Sequence, residues 1–219
     1  PELVAAIARV PPVWLIGRPD SAGGDVCAVD NDAGARLAAE YLHRHGHLRI
    51  GYLHPRPGQT RSEGLKLNFT MHAQRFGLRV EPFEGPLMES VRWPLPAITQ
   101  PGGVMPLLDR WLALPAASRP TAMLVPADSV AVQLYAAMRL RGLKVGRDLS
   151  LLSFNHEKPL VAGLTPPLTT IDIRAETIGR RAVERLLWRI DHPEDTIPTK
   201  IVVEPVLIEG GSVANLAGS

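Results

Sequence analysis

The sequence predicts an α/β protein built on parallel β-sheets. Short apolar runs alternate along the chain with longer stretches whose apolar residues recur at helical spacing. The apolar runs are continuous rather than alternating with polar residues, as expected for strands that helices cover on both faces. Helix-length connections between consecutive strands imply that the strands pair in parallel.

The apolar runs predict the strands, because turn residues bound each of them. The predicted strands are 12–17, 25–30, 48–53, 78–83, 121–126, 148–154, 168–173 and 200–208. The stretches between them predict helices that end at Gly46, Gly77 and Gly142. The predicted helices are roughly 32–45, 61–76, 104–114, 129–141 and 174–191. Residues 84–106 carry several prolines and no clear period, so we interpret them as an irregular excursion of the kind that is often functional.

The composition bounds the class of protein. A chain of 219 residues, 45% of them hydrophobic, can bury the core of one large domain or of two small ones. Lys and Arg outnumber Asp and Glu by only 24 to 22 and form no dense block, which gives weak support to strong nucleic-acid binding by these residues alone. Cys27 is the one cysteine, which excludes an intramolecular disulfide, fits a reducing compartment and suggests a small buried side chain. No apolar stretch is long enough to span a membrane, and the N-terminus is not a convincing signal peptide.

Several motifs of catalysis are missing from the sequence. It contains neither a glycine-rich phosphate loop nor a GxSxG nucleophile elbow. His43 and His47 flank a predicted helix end, where the helix dipole favours a solvated histidine, and we prefer this interpretation over a metal site. Because no nucleophile, metal set or paired carboxylates appear, we expect neither an enzyme nor a cofactor.

Polar residues follow several of the predicted strands at their carboxyl ends. Asp30 and Asp32, Asp128, and Asn155 with His156 come directly after apolar runs. In open α/β sheets, ligands bind at this edge, so the set is typical of a site for a small polar ligand. The alternative is that the aspartates only cap helices. Arg61 stands in the first turn of a helix, where the dipole disfavours it; its donors suit hydroxyls, carboxylates or phosphates, although a solvent-exposed arginine is the alternative.

Three segments together carry a resemblance to a known family. They are "RPTAMLVPADSVAVQLYAAMRLRGLKVGRDLSLLSFNHEKPLVAGLTPPLTTIDI" at 119–173 with its continuation to 187, "VDNDAGARLAAEYLHRHGHLRIGYL" at 29–53, and "RSEGL" at 61–65. This pattern resembles the effector-binding domain of LacI-type bacterial transcription regulators. The likeness covers most of the chain, and the run through "DLSLLSF" and "TPPLTT" is specific to it.

The resemblance implies a periplasmic-binding-protein-like fold, in which two doubly wound subdomains joined by three crossovers hold an effector in the cleft between them. Residues 1–55 and 173–197 would form the N-terminal subdomain, and residues 56–172 and 198–219 the C-terminal one. In the family this domain makes a homodimer, and a separate helix-turn-helix domain binds operator DNA. That domain and the first strand–helix units of the N-terminal subdomain do not occur in these residues, so we expect an incomplete N-terminal subdomain and a piece of a longer chain.

The effector-binding positions of the family are only partly matched. Arg61 matches the ligand-binding arginine, and Asn155 stands where an aspartate is usual. Ala127, before Asp128, replaces the usual asparagine, and Ile173 falls where a glutamine is frequent. The resemblance therefore implies a pocket that is less polar than a typical sugar site, in which each lost neutral hydrogen bond would cost about 0.5–1.5 kcal/mol.

The resemblance favours an effector-binding and dimerisation domain of a cytoplasmic repressor-like regulator, in which a sugar-like ligand modulates operator binding. Trp93 could stack on that ligand, or it could pack over the core beneath its loop. The candidate effector-binding residues are thus Arg61, Trp93, Ala127, Asp128, Asn155 and Ile173, with no catalytic or metal-binding residue. The alternative function is an extracytoplasmic sugar-binding protein of a transport system.

Overall fold

The computed structural model describes residues 12–17, 23–55, 60–85 and 103–218, with the backbone alone at 60 and 61. The chain divides into two compact units. The small unit comprises Pro1–Asp30 and Ile173–Pro205, and the large unit comprises Asn31–Asp172 and Val206–Ser219. The chain therefore passes between the units three times. Trp93 and most of the irregular excursion lie outside the described residues.

The described elements follow the predicted alternation of strands and helices. The strands are β1 (Val13–Leu15), β2 (Asp25–Val29), β3 (Arg49–His54), β4 (Arg79–Glu84), β5 (Ala122–Leu124), β6 (Ser150–Asn155), β7 (Thr169–Asp172), β8 (Lys200–Val203) and β9 (Val206–Ile208). The helices are α1 (Asn31–Arg44), α2 (Thr60–Arg75), α3 (Met105–Ala113), α4 (Asp128–Leu140), α5 (Lys158–Val161) and α6 (Ala175–Asp191).

The large unit is built on a six-stranded sheet in the order β4-β3-β5-β6-β7-β9. All of its neighbouring strands are parallel except β9, which runs antiparallel to β7. Successive strand residues enter different cores: Ile50 and Tyr52 of β3 pack with α1 and α2, whereas Leu53 packs with α3 and α4. Because helices cover both faces, the interior strands β3 and β5 and the middle of β6 are mostly apolar. The predicted α/β fold with parallel sheets is confirmed.

The end of α1 shows how one glycine shapes the large unit. Gly46 has a φ of +77°, and a Cβ at this position would lie 2.7 Å from the backbone nitrogen of Ala217. Only glycine combines this left-handed conformation with such a close approach of another chain segment. The turn carries the chain from the end of α1 directly into His47, which is fully buried.

The small unit has a three-stranded parallel sheet in the order β1-β2-β8, against which α6 packs. Its core consists of the buried side chains of Cys27, Val29, Ile173, Ile178, Ala182 and Val203. Cys27 is completely buried, in agreement with its interpretation as a small core residue. Burial raises the pKa of its thiol above the ordinary value.

The structure divides the chain at places that differ from the predicted subdomain boundaries. The prediction put residues 1–55 together, but 31–55 lie in the large unit because β3 pairs with β4 and β5. The prediction also put 198–205 with the terminal strand, whereas β8 pairs with β2 in the small unit. Strand pairing decides the division in both cases. That the units are the two subdomains of an effector cleft stays a prediction.

None of the helices in the described ranges combines the length and the apolar character that crossing a membrane requires.

A candidate ligand site at the carboxyl edge of the large sheet

The parallel order of β3, β5 and β6 brings the segments that follow these strands to one edge of the large sheet. Arg61 lies in the first turn of α2, which follows β3. Ala127 and Asp128 follow β5, and Asn155 ends β6. Four of the six candidate residues therefore belong to segments that meet at this edge. We call this edge the carboxyl edge.

Asp128 lies at the start of α4 and is fully buried. Its Oδ1 accepts hydrogen bonds from the Ser153 hydroxyl and, at 2.9 Å, from the Thr170 hydroxyl. Its Oδ2 accepts a hydrogen bond of 2.6 Å from the backbone N–H of Glu157. The carboxylate therefore connects the turn after β5 to β6, to β7 and to the turn after β6. Both of its oxygens are engaged by protein donors.

This geometry corrects the interpretation of Asp128 as a helix cap. The N-cap of α4 is Ala127, in extended conformation and without a side-chain capping hydrogen bond, so Asp128 is the first helical residue. Burial raises the pKa of the Asp128 carboxyl, and the hydrogen bonds from Ser153, Glu157 and Thr170 offset only part of that rise. Asp128 acts as an internal connector that shapes the edge, and none of its oxygens is exposed to a ligand.

We expect Asp128→Ala to lower the free energy of unfolding by about 2 kcal/mol, because it leaves buried donors unsatisfied while relieving the burial of a carboxylate. Urea denaturation followed by circular dichroism measures this difference. Ser129→Ala, at the half-buried next position of α4, is the matched control and should change stability by less than about 0.5 kcal/mol. Equal stability of the two variants would show that the connector role is incorrect.

The turn after β6 is held in an unusual backbone conformation. Asn155 has a φ of +111° and His156 a φ of +57°, and neither is a glycine. The Asn155 Nδ2 donates a hydrogen bond of 2.9 Å to the Glu157 carboxylate. The Asp128 carboxylate accepts a hydrogen bond from the backbone N–H of Glu157. Consecutive residues in the left-handed region cost free energy and persist where surrounding contacts enforce them, which is common at binding sites.

His156 belongs to this edge, as its position after an apolar run predicted, although it was not among the six candidate effector-binding residues. Its Nδ1 is buried and, among the described residues, has no hydrogen-bond partner. A buried imidazole nitrogen without a partner is costly unless a ligand or water supplies one. Ser153 and Thr170 were also missed, although polar residues within otherwise apolar strands are a signal that a buried polar partner exists.

Ile173 and Trp93 are not in the segments that follow β3, β5 and β6. Ile173 is 5% exposed and belongs to the core of the small unit. Trp93 lies outside the described residues. Ala127 is half-buried at the turn itself, where its methyl group offers no hydrogen bond.

The histidines around the end of α1 have separate partners within the protein. His43 is exposed and stacks on Phe76 with ring centroids 5.3 Å apart. His47 is fully buried and bonded to Thr121 and to the Ala214 carbonyl, so its interpretation as a solvated residue is wrong. Within the described ranges, no group of three or more His, Cys, Asp or Glu residues is arranged to hold a metal ion.

Comparison with known proteins places this geometry in context. The model of a family described as "periplasmic binding protein-like domain" matches residues 39–213. The ribose operon repressor of Escherichia coli is 27% identical over 215 residues, which are 96% of this chain and 60% of the repressor. The ribose operon repressor of Haemophilus influenzae is 37% identical over 99 residues, which are 45% of this chain and 29% of that protein. The chain thus spans at most about 60% of these relatives.

Solved structures share the fold. A LacI family transcriptional regulator from Enterococcus faecalis with bound ribose has a TM-score of 0.76 at 20% identity, over 98% of this chain and 72% of that one. A putative transcriptional regulator of the LacI family from Rhizobium etli has a TM-score of 0.74 at 26% identity, over 93% of this chain and 70% of that one. The resemblance to LacI-type regulators seen in the sequence is confirmed.

Proposed function

This chain belongs to the periplasmic binding protein-like domain family, and on that basis we propose that it is the effector-binding domain of a LacI-type transcription regulator. The observation that carries the proposal is the match of 96% of the chain to a ribose operon repressor. The repressor match also favours a regulator over the alternative, a sugar-binding protein of a transport system. The whole protein would be a cytoplasmic homodimer that binds operator DNA through a domain outside these residues.

The proposed effector is a pentose or a molecule that contains one. A relative of the same fold is described with bound ribose, which indicates the size class. At the carboxyl edge, Asn155 offers an amide, His156 offers a buried imidazole nitrogen, and Arg61 stands in the first turn of α2. Amide and imidazole groups suit sugar hydroxyls, whereas the engaged Asp128 adds no free charge. These groups support a hydroxyl-rich ligand.

An effector regulates only if it binds one conformation of the protein more tightly than another. The binding free energies of effector and operator are then coupled reciprocally, so the operator-bound protein binds the effector with a correspondingly changed affinity. We propose that Arg61 and Asn155 supply this preference, because they stand on segments that follow different strands, β3 and β6.

Calorimetric titration with ribose, ribose 5-phosphate and a nucleoside tests the proposed site. We expect at least one to bind the 219-residue chain with a Kd of about 1 mM or lower, and Asn155→Gly to weaken it at least about tenfold. Glycine removes the amide and still permits the φ of +111°.

Arg61→Ala is expected to weaken the same ligand about tenfold or more, because a charged hydrogen bond is lost. Arg75→Ala, at the exposed far end of α2, is the matched control and should bind as the wild type does. A ligand that binds Asn155→Gly and Arg61→Ala as tightly as the wild type would place the site elsewhere. Failure of all three ligands to bind would reject the pentose class.

A further inference from the structure

The carboxylate of Glu157 lies beside the Asn155 amide in the turn that follows β6. Glu157 is the N-cap of the short helix α5, but its side chain makes no capping hydrogen bond. The carboxylate instead accepts the hydrogen bond of 2.9 Å from the Asn155 Nδ2. A carboxylate near a helix start is stabilised by the unpaired N–H groups of the first turn, and Glu157 does not use them. Its contact with Asn155 therefore calls for another explanation.

The backbone of Glu157 is fixed from two sides. Its N–H donates to the buried Asp128 carboxylate at 2.6 Å, and its carbonyl accepts the N–H of Leu160 at 2.8 Å. Immediately before it, Asn155 and His156 both have a positive φ, which defines the path of the turn. The point from which the Glu157 side chain extends is thus held in place, two residues from the amide that it contacts.

The chemistry of the two groups decides which way the Asn155 amide turns. An ionised carboxylate only accepts hydrogen bonds, whereas an amide has an NH2 group that donates and an oxygen that accepts. The amide can therefore face Glu157 only with its Nδ2 side, and the Oδ1 side is turned away from Glu157. An amide oxygen has two lone pairs, so Oδ1 can accept a hydrogen bond from a ligand in addition to another contact.

The contact between Asn155 and Glu157 contributes little to stability. The Glu157 side chain is exposed and Asn155 is half-buried, and polar pairs that contact solvent add little to the free energy of unfolding. The orientation of the amide, in contrast, decides whether the turn offers a ligand a donor or an acceptor. The contact therefore sets the chemistry of the carboxyl edge and leaves its stability almost unchanged.

We propose that Glu157 is a positioning residue that makes Asn155 a hydrogen-bond acceptor for the effector. Glu157 holds the Nδ2 side of the amide, and Oδ1 accepts a hydrogen bond from a hydroxyl group of the ligand. A ligand whose group at this point only accepts hydrogen bonds is disfavoured, because two oxygens would face each other. This inference rests on the proposed function, since the ligand that it describes is the effector of the carboxyl edge.

NMR spectroscopy of the ligand-free 219-residue chain tests the orientation of the amide. Asn155→Gly identifies the side-chain amide proton signals of Asn155, because it removes them. We expect one of these signals to lie further downfield in the wild type than in Glu157→Ala, whereas urea denaturation should give the same stability for both proteins. Glu81→Ala, at an exposed glutamate of β4, is the matched control and should leave both signals in place. Identical Asn155 signals in the wild type and Glu157→Ala would overturn the inference.

Calorimetric titration with ribose tests the consequence for binding. Glu157→Ala should weaken ribose binding at least about threefold, because an amide without its partner offers the ligand either group. Asn155→Asp should also weaken it, because two carboxylates then face each other. Combining Asn155→Asp with Glu157→Gln should bind ribose more tightly than Asn155→Asp alone, because the introduced amide donates to the introduced carboxylate and leaves it an oxygen for the ligand. Glu81→Ala should bind ribose as the wild type does.

The two experiments distinguish this inference from the proposed function. If ribose does not bind the wild type, the proposed pentose effector is rejected, and the NMR comparison decides the orientation of the amide without a ligand. If ribose binds the wild type but the combined variant binds it no more tightly than Asn155→Asp, the acceptor role of Asn155 is wrong. Equal ribose affinity of the wild type and Glu157→Ala would contradict the positioning role of Glu157.

Discussion

Replacing Asp25 with alanine should lower the free energy of unfolding by about 3–5 kcal/mol, the largest single effect that we expect in this chain. Asp25 is fully buried at the start of β2 and accepts two hydrogen bonds of 2.7 Å from Arg189. The Arg185 Nε at 2.5 Å and the backbone N–H of Thr199 at 2.7 Å complete its partners. Its removal would leave the buried guanidinium of Arg189 with only the more distant Asp195 carboxylate, 3.7 Å from Nη1, as a counter-charge.

The direction in which the pKa of Asp25 shifts also indicates that its ionised carboxyl stabilises the folded state. Burial alone would raise the pKa of the carboxyl, but the hydrogen bonds from Arg189, Thr199 and Arg185 outweigh it and hold the pKa well below the ordinary value of 3.8. A carboxyl whose pKa is lower in the folded state stabilises the fold above its unfolded pKa, and this contribution is lost as the pH falls through acid values. The network therefore stabilises the small unit at neutral pH.

Urea denaturation at pH 7 measures the effect of Asp25→Ala. Asp191→Ala, an exposed aspartate at the end of α6, is the matched control and should change stability by less than about 0.5 kcal/mol. The double variant Asp25→Ala with Arg189→Met should be more stable than Asp25→Ala alone, because no unpaired charge stays buried. A loss below about 1 kcal/mol for Asp25→Ala would mean that the ion pair is dispensable.

The elements of the fold were predictable because they depend on local pattern. The run 121–126 predicted a strand, and β5 occupies its centre; Gly77 and Gly142 were predicted to end helices, and each has a φ of +71°. Which strands pair is a non-local property. The apolar pattern of 48–53 predicts a strand without its neighbours, so the pairing of β3 with β4 and β5 could not be predicted from it.

The carboxyl edge was predictable in outline for a topological reason. Parallel strands end on one side, so polar residues after β3, β5 and β6 had to meet there. The state of Asp128 was not predictable, because its partners Ser153, Glu157 and Thr170 lie 25, 29 and 42 positions further along the chain. An aspartate that ends as a connector has the same local sequence as one that binds a ligand.

The prediction that His47 is solvated was wrong for the same reason, because the Ala214 carbonyl that contacts it belongs to a segment 167 positions away. A carbonyl only accepts hydrogen bonds, so Nε2 carries the proton and donates it to Ala214 at 3.0 Å. Nδ1 then accepts from the Thr121 hydroxyl at 2.8 Å. The neutral imidazole satisfies both partners; in the imidazolium the Thr121 hydroxyl would have to turn and accept instead of donate, so the main cost of protonation is the burial of the charge.

The stability of the chain should consequently fall as the solution becomes acidic. Burial lowers the pKa of His47 from 6.5 to about 4, although the bond to Ala214 opposes the change. Because the folded pKa is the lower one, the unfolded chain takes up the proton first, and His47 stabilises the fold fully only above pH 6.5. Between pH 6.5 and pH 4 we expect the contribution of His47 to the free energy of unfolding to fall by about 3 kcal/mol.

The comparison of wild type with His47→Gln isolates this contribution from those of the carboxyls. The difference in unfolding free energy between the two proteins should be largest at pH 7 and should shrink by about 3 kcal/mol toward pH 4. His43→Gln, an exposed histidine in the last turn of α1, is the control, and its curve should run parallel to the wild type over the whole range. Parallel curves for His47→Gln and wild type would show that His47 titrates normally, and the network of Thr121, His47 and Ala214 would then not depend on the neutral imidazole.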